Sequence, residues 1–383
     1  MAGRPSRRDV IRIAIGGAMA AAAPRASAGF ANRADEPQLI VRGESPLNAE
    51  TPVELFTSYL TPNDRFFVRS HVGPPGDSGE PRAIKVGGMV KTALQLGSRE
   101  LLRFDAVTLP AVLQCSGNGR ALFAPTIPGV GWERGAVGNA EWTGARLKDI
   151  LEKAGIDARA KHVHFLGGDG PPNPKSPAFH RSLPIERAMD PTTLVAYGMN
   201  GPKIPLLHGS PFRLVVPGWA GNHWMKWLRE ITVSTEEAPG FYQRTGYKMP
   251  KTPVPPGVTP KPEDLVSVTW MNVKSLIAAP ALNGELRGGR TTIAGVAWTG
   301  QGRVAKVEVA IDDGPWRAAE LHGPDHEGAW RMWRLDWDAA PGTHRVRARA
   351  TDSSGAVQPD ATPWNKSGYL WNGIESVSFE VRR

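Results

Sequence analysis

Apolar and polar residues alternate along much of the last third of the chain. Every second side chain is apolar in residues 307–311, 333–337, 346–350 and 377–381, which is the period of a strand with one buried face. Turn signals such as Asp312-Asp313-Gly314 separate these segments. Short strands at this spacing over about 115 residues predict an immunoglobulin-like β-sandwich. We expect its tryptophans to belong to the core.

The preceding part of the chain has no single period. Residues 147–154 and 185–189 have a helical pattern, whereas residues 163–166, 212–216 and 230–233 indicate strands. Glycine and proline are scattered between these segments, and the sequence contains neither a P-loop nor a G-x-G-x-x-G motif. We therefore predict an α+β fold for this part, with the functional residues on its loops.

A proline-rich segment separates the two parts. Seven prolines lie between residues 236 and 263, in a density that neither a helix nor a central strand tolerates. The chain has 383 residues, which is more than one core usually serves. We predict a first domain over residues 29–265 and the β-sandwich over residues 266–383.

Residues 1–28 have the features of a secretory signal peptide. Paired arginines at positions 7 and 8 precede an apolar stretch over residues 13–23, and Ala26-Ser27-Ala28 provides a small-residue cleavage site. Paired arginines indicate the twin-arginine route, which exports folded proteins, so we expect a periplasmic protein. The apolar stretch is much shorter than the ~18 residues that span a bilayer, so we expect no membrane span.

Charge and cysteine content exclude several classes of protein. The first 28 residues hold five Arg and one Asp, so the rest of the chain carries +5 of the net charge of +9. This modest excess does not indicate nucleic-acid binding and suits a small anionic substrate or an acidic protein partner. With a single cysteine, the chain cannot form an intrachain disulfide, attach a haem through a C-x-x-C-H motif or hold an iron–sulfur cluster of its own.

The single cysteine lies between an apolar run and a tight turn. Cys115 follows residues 111–113, precedes a Ser-Gly-Asn-Gly turn and has Arg120 five residues after it. We expect the thiol at the end of a strand, where a guanidinium favours the thiolate, a soft metal ligand. A lone cysteine is more often a small buried apolar residue, so the neighbouring motifs have to decide between the two interpretations.

Three further clusters carry candidate chemistry. Arg69 and His71 are predicted to share one face of a short strand and to offer two cationic donors to an oxyanion, although a salt-bridged edge strand has the same pattern. The segment 208–227 interleaves His, Arg and Lys with glycines, which suits either a phosphate-binding loop or a tight structural loop. Tyr247 lies between an arginine and a lysine, which predicts an electropositive environment for its phenol.

Together these motifs resemble the sulfite oxidase family of molybdenum enzymes. The chain matches the family's F-F-x-R-x-H segment at residues 66–71, its C-x-G-N-x-R turn at 115–120, its tryptophan-rich stretch at 132–147 and its H-G-x-P-x-R block at 208–228. The motifs occur in order over essentially the whole chain after the leader. The resemblance implies a mixed α/β molybdopterin-binding domain followed by an immunoglobulin-like dimerisation domain.

The resemblance also implies roles for individual residues. Cys115 would supply a thiolate ligand to molybdenum, the other ligands being oxo groups and the dithiolene of a pterin cofactor. The substrate pocket would be lined by Arg69, Arg120 and Tyr247. The pterin and its phosphate would be held by His71, Asp169, His208, Arg213 and Lys226.

One departure from the family pattern lies near the C-terminus. Many members have an arginine there in a W-N-x-R-G context, whereas this chain has Trp364-Asn365-Lys366-Ser367-Gly368. Lys366 is a candidate replacement, as a point charge without the bidentate geometry of a guanidinium, and the sequence leaves open whether it takes this place.

The resemblance implies oxidation of sulfite to sulfate by a homodimer. Because the chain has no haem or flavin motif, the expected electron acceptor is a separate c-type cytochrome. One alternative is a molybdenum enzyme that acts on another sulfur compound, as a sulfane dehydrogenase or a sulfoxide reductase. Another is a non-catalytic periplasmic binding protein that uses the β-sandwich for adhesion.

Overall fold

The computed structural model of the chain describes residues 39–76, 83–170, 176–201 and 203–383. The predicted signal peptide, residues 1–28, lies outside these residues. Residues 38–383 form one compact unit. Within the described residues, no helix is both long enough and apolar enough to cross a membrane.

Strands make up most of the regular structure. The first part of the chain contributes β1 (Ile40–Glu44), β2 (Leu47–Glu50), β3 (Ile84–Gly88), β4 (Leu94–Leu96), β5 (Ala106–Gln114), β6 (Val137–Arg146), β7 (His162–Gly167), β8 (His180–Pro184), β9 (Leu194–Met199), β10 (Arg213–Val215), β11 (Leu228–Ser234), β12 (Lys248–Pro250) and β13 (Leu265–Ser267). The second part contributes β14 (Lys274–Ala279), β15 (Glu285–Arg287), β16 (Gly289–Trp298), β17 (Val304–Ile311), β18 (Arg317–Ala318), β19 (Glu320–His322), β20 (Arg331–Ala339), β21 (Gly342–Asp352) and β22 (Ser376–Arg382). The helices are short: α1 (Ser98–Leu101), α2 (Leu147–Ala154), α3 (Ile185–Ala188) and α4 (Phe241–Arg244).

Two larger sheets build the first part of the chain. Their strand orders are β10-β9-β6-β5 and β4-β3-β11-β7-β8, and the pairing is antiparallel except between β3 and β11. Helix α2 buries Leu147, Ile150 and Leu151 against this core, at the spacing of one helical face. The helices predicted at 147–154 and 185–189 are therefore confirmed by α2 and α3. The three predicted strands are confirmed by β7, β10 and β11.

The predicted strand through Arg69 and His71 is wrong. Only Val68 forms a β-bridge, with Ala49, and the chain then leaves strand geometry. The side chain of Asn48 explains this departure, since its Oδ1 accepts hydrogen bonds from the Ser70 backbone N–H and from the Arg69 guanidinium. A side-chain acceptor thus replaces the partner strand.

The second part is the predicted β-sandwich. Its two sheets have the orders β14-β16-β20-β19 and β15-β22-β21-β17-β18. Inward-facing residues of both sheets, such as Val307, Trp333 and Phe379, form its core. Trp298, Trp330 and Trp333 are fully buried, so these three tryptophans are core residues, as expected.

The two parts share an apolar cluster next to Cys115. Val112 and Val137 of the first part pack with Trp298 and Trp330 of the second. The indole N–H of Trp298 donates a 2.7 Å hydrogen bond to Gln114 Oε1, at the end of β5. The predicted boundary at residue 265 adjoins β13, which pairs with β12 across the proline-rich loop, and the boundary stays a prediction.

Candidate functional site

Cys115 lies directly after strand β5, as the sequence predicts. Its backbone N–H donates to the carbonyl of Ala136 at 2.9 Å, and the tight turn of residues 116–119 follows. The Ser116 hydroxyl donates to Asn222 Oδ1 at 2.9 Å, which ties this turn to the loop before β11. The partly exposed thiol is therefore held at a fixed place between two loops.

Gly119 closes the turn in a conformation that other residues adopt poorly. Its φ is +89°, and a Cβ at this position would lie 2.7 Å from the Cβ of Trp371. We expect Gly119→Ala to lower the free energy of unfolding by about 2–4 kcal/mol, from backbone strain and overpacking. Urea unfolding checks this, with Gly131→Ala as control, because a Cβ there meets nothing within 4 Å. Equal stability of the two variants would contradict the expectation.

The thiol lines two adjoining cavities. The first has about 690 Å³ of empty space and the second about 1020 Å³, open solvent included. All the residues singled out in the sequence for the cofactor and substrate line one or both of them: Arg69, His71, Cys115, Arg120, Asp169, His208, Arg213, Lys226 and Tyr247. The structure therefore brings the predicted residues together, and their individual roles stay predictions.

Buried positive charge characterises the first cavity. Burial lowers the pKa of Arg213 to about 9, and the pKa of Lys226 also falls well below its usual value through burial and the nearby Arg213. Lys226 donates to Ser70 Oγ at 2.8 Å and to the Leu207 carbonyl at 3.0 Å. Among the described residues that line this cavity, Asp169 carries the one carboxyl group, and burial raises its pKa to about 6. An anion would compensate these cations.

Both histidines of the first cavity are neutral. Burial lowers the pKa of His208 to about 3, and burial together with the charges of Arg69 and Lys226 does the same for His71. His208 Nε2 lies 3.0 Å from the carbonyl of Asn63. A neutral imidazole offers one hydrogen-bond donor and one acceptor, whereas a protonated imidazole offers two donors. These two rings therefore suit a neutral polar group that both donates and accepts.

Tyr247 stands where the two cavities meet. Its hydroxyl lies 2.7 Å from His71 Nε2, and burial raises the pKa of its phenol. The ring of Tyr369 stacks on it, with centroids 5.4 Å apart and planes at 17°. Arg69 lies on the other side of His71, with its Nη2 3.1 Å from His71 Nδ1. The phenol is therefore fixed by contacts on several sides.

The C-terminal segment completes the second cavity without a cation. Arg120 Nε donates to the Ser367 carbonyl at 3.2 Å, and its guanidinium lies 5.5 Å from the centre of the Tyr369 ring. Lys366 is exposed, and its ammonium lies 3.3 Å from Thr259 Oγ1. The question that the sequence left open is thus answered: Lys366 does not supply a point charge to the second cavity, because its side chain contacts Thr259 outside it.

Asn48 and Tyr369 are among the residues around the site that the sequence did not single out. Asn48 anchors Arg69, and nothing in the local sequence distinguishes it from a loop asparagine. Tyr369 follows Gly368 in the segment that lacks the family's arginine. The sequence therefore drew attention to this segment, but it gave no sign that Tyr369 stacks on Tyr247.

Comparison with known proteins decides the family. Residues 72–242 match the family described as oxidoreductase molybdopterin binding domain, and residues 266–380 match the Mo-co oxidoreductase dimerisation domain. The sulfite oxidase of Arabidopsis thaliana is 31% identical over 370 residues, which cover 87% of this chain and 92% of that protein. The chain belongs to the sulfite oxidase family. This family consists of molybdenum enzymes, so the resemblance seen in the sequence and the fold class are confirmed.

Other sulfite oxidase relatives give the extent of the match. Mitochondrial sulfite oxidase of Mus musculus is 37% identical over 371 residues, which cover 90% of this chain and 66% of that protein. The chain thus spans just under two thirds of the length of the mouse relative. Among solved structures, the sulfane dehydrogenase SoxCD from Paracoccus pantotrophus superposes with a TM-score of 0.75 at 26% identity, over 93% of this chain and 90% of that one.

Proposed function

We propose that this protein oxidises sulfite to sulfate at a molybdenum–pterin centre and passes the electrons to an external c-type cytochrome. The observation that carries the proposal is the position of the Cys115 thiol, which lines both a cavity with buried cations and a cavity with two guanidinium groups. Membership of the sulfite oxidase family supports it further.

The first cavity fits a pterin with a phosphate. Within the described residues, Arg213 Nε is buried without a hydrogen-bond partner, and Lys226 lies beside it with a depressed pKa. A dianionic phosphate would satisfy both groups. His71, His208 and Asp169 would hold the polar pterin rings, and Cys115 would bind the molybdenum as a thiolate. When bound, this group would supply the two-electron oxidation.

The second cavity fits a small oxyanion. Arg69 and Arg120 would bind the oxygen atoms of sulfite, and the Tyr247 hydroxyl would donate a further hydrogen bond. Because neighbouring residues already hold these donors in place, little reorganisation is needed when the anion enters. In the balanced reaction, sulfite and water give sulfate, two protons and two electrons, and two one-electron acceptors take up the electrons.

We expect Arg69→Ala to raise the KM for sulfite at least tenfold, a loss of about 1.4 kcal/mol or more, because one of the two guanidinium groups of this cavity is removed. Steady-state kinetics with ferricytochrome c measures this. Arg103→Ala serves as control, since Arg103 is exposed and lines neither cavity. An unchanged KM would mean that Arg69 does not contact the substrate.

A sulfane dehydrogenase is the second candidate. The similarity to SoxCD and the position of Lys366 outside the pocket favour it. Parallel assays with sulfite and with a sulfane-sulfur compound, both with ferricytochrome c, distinguish the two reactions. Absence of sulfite turnover above background would eliminate the leading proposal.

We further propose that the protein is a periplasmic homodimer. The paired arginines at positions 7 and 8 support export, and the match to a dimerisation domain supports the dimer. Light scattering of the purified protein tests the second point, and a monomeric mass would contradict it.

A further inference from the structure

A buried guanidinium lies behind the second cavity, on a residue that lines neither cavity. Arg181 of β8 is 1% exposed. Burial lowers its pKa to about 10, so it remains protonated at neutral pH. Among the described residues, no carboxylate forms an ion pair with this guanidinium, Glu237 acts on its charge only from further away, and its Nε has no hydrogen-bond partner. A buried cation without a directly paired carboxylate is costly to maintain, which points to a role in the site nearby.

The guanidinium contacts the tyrosines that form the cavity wall. Its central carbon lies 5.4 Å from the centre of the Tyr247 ring. Its Nη1 donates to the backbone carbonyl of Tyr242, and its Nη2 lies 3.1 Å from Nε2 of His223. Both Tyr242 and Tyr247 line the second cavity. Arg181 thus reaches the site only through other residues.

Tyr247 has a backbone conformation that needs support. Its φ is +53°, in the left-handed region that a bulky residue rarely adopts. The Tyr369 ring stacks on it, and the backbone N–H of Val268 donates to its carbonyl at 2.8 Å. Strained residues of this kind are found at binding and catalytic sites, where the surroundings hold them in place.

We propose that Arg181 is a positioning residue that acts through Tyr247. Its charge polarises the phenol ring, which makes the Tyr247 hydroxyl a stronger hydrogen-bond donor to an anion in the second cavity. Its contacts also hold the ring in the orientation that the anion requires. This inference rests on the proposed function, because it assumes that the second cavity binds sulfite and releases sulfate.

A double-mutant cycle on the holoenzyme tests this inference. We expect Arg181→Met to lower kcat/KM for sulfite about tenfold, mainly through KM, in the wild-type background. In the Tyr247→Phe background, which lacks the hydroxyl, the same substitution should change kcat/KM less than about twofold. Arg181→Lys retains the charge and should remain within about threefold of the wild type. Additive effects of Arg181→Met and Tyr247→Phe would overturn the proposal.

Arg187→Met provides the matched control. Arg187 is largely buried, with 11% of its side chain exposed, and lies over the rings of Trp219 and Trp270. Unlike Arg181, it pairs with Asp190, and it lines neither cavity. We expect its kcat/KM to stay within about twofold of the wild type, even if its melting temperature falls. An equal loss of kcat/KM in Arg187→Met and Arg181→Met would show a purely structural role and overturn the proposal.

Sulfate binding separates this inference from the proposed function. Calorimetric titration of the same holoenzymes with sulfate needs no turnover, and Arg181→Met should weaken binding about tenfold only when the Tyr247 hydroxyl is present. If Arg181→Met weakens sulfate binding only when the Tyr247 hydroxyl is present, but the wild type does not oxidise sulfite, the proposed reaction is wrong and the role of Arg181 stands. Unchanged sulfate binding in Arg181→Met would refute that role.

Discussion

Replacing Cys115 by serine is expected to abolish sulfite oxidation almost completely. We expect kcat to fall about a thousandfold or more, a loss of at least ~4 kcal/mol of transition-state stabilisation. The reason is chemical: a thiolate is a soft ligand that suits the metal, whereas a serine hydroxyl remains protonated and is a poor ligand. Steady-state assays with sulfite and ferricytochrome c measure the effect.

The same variant contains its own control for folding. Serine is close in size to cysteine, and the Cys115 N–H would keep its hydrogen bond to Ala136, so the free energy of unfolding should change by less than about 1 kcal/mol. A variant that is equally stable and turns over within tenfold of the wild type would show that the sulfur takes no part in the reaction. That result would favour the alternative hypothesis of a non-catalytic binding protein.

Replacing Lys226 by methionine is expected to remove most of the bound cofactor. The ammonium lies in the first cavity, where burial and then the charge of Arg213 lower its pKa, and a phosphate would offset both effects. Without the ammonium, the phosphate would lose a charged donor in a largely buried site. We expect the molar ratio of pterin to protein to fall at least tenfold, measured by fluorescence of the released and oxidised pterin.

Lys274→Met is the matched control for this prediction. Lys274 is a second buried lysine whose pKa burial lowers to about 8, and it lies 4.5 Å from the ring centre of Trp371, outside both cavities. Its replacement should leave the pterin content of the folded protein unchanged. If both variants lose pterin equally, the loss follows from general instability, and Lys226 has no specific role in binding the phosphate.

Local pattern was sufficient to predict most of the fold. The alternation in residues 333–337 and 346–350 is confirmed by β20 and β21, since one face of each strand is buried or half-buried in the sandwich and the other is more exposed. The end of β5 at Gln114 places Cys115 where the apolar run predicts it. These elements obey local rules because their burial pattern matches their intrinsic period.

Local pattern was insufficient where distant residues determine local geometry. The segment from Arg69 to His71 alternates like a strand, but the side chain of Asn48 takes up its hydrogen bonds. Lys366 has the right charge for the substrate pocket, but Thr259 in the proline-rich loop provides a partner outside it. Neither contact has a signal in the local sequence.

The contact between Arg181 and Tyr247 could not be predicted from the sequence either. Its position in β8 carries no motif, and its proximity to Tyr247 depends on the pairing of β7 with β8 and on helix α4. By contrast, the residues of the candidate site were predicted as a set because they belong to motifs of a known family. Their convergence on two adjoining cavities is a result of the three-dimensional structure.

X-ray absorption at the molybdenum edge tests the central claim, that the Cys115 sulfur is a ligand of the metal, most directly. The purified wild-type protein should contain molybdenum, and Cys115→Ser should have one molybdenum–sulfur bond fewer than the wild type. An identical sulfur coordination in the two proteins, or a wild-type protein without molybdenum after expression with an adequate supply, would contradict the account.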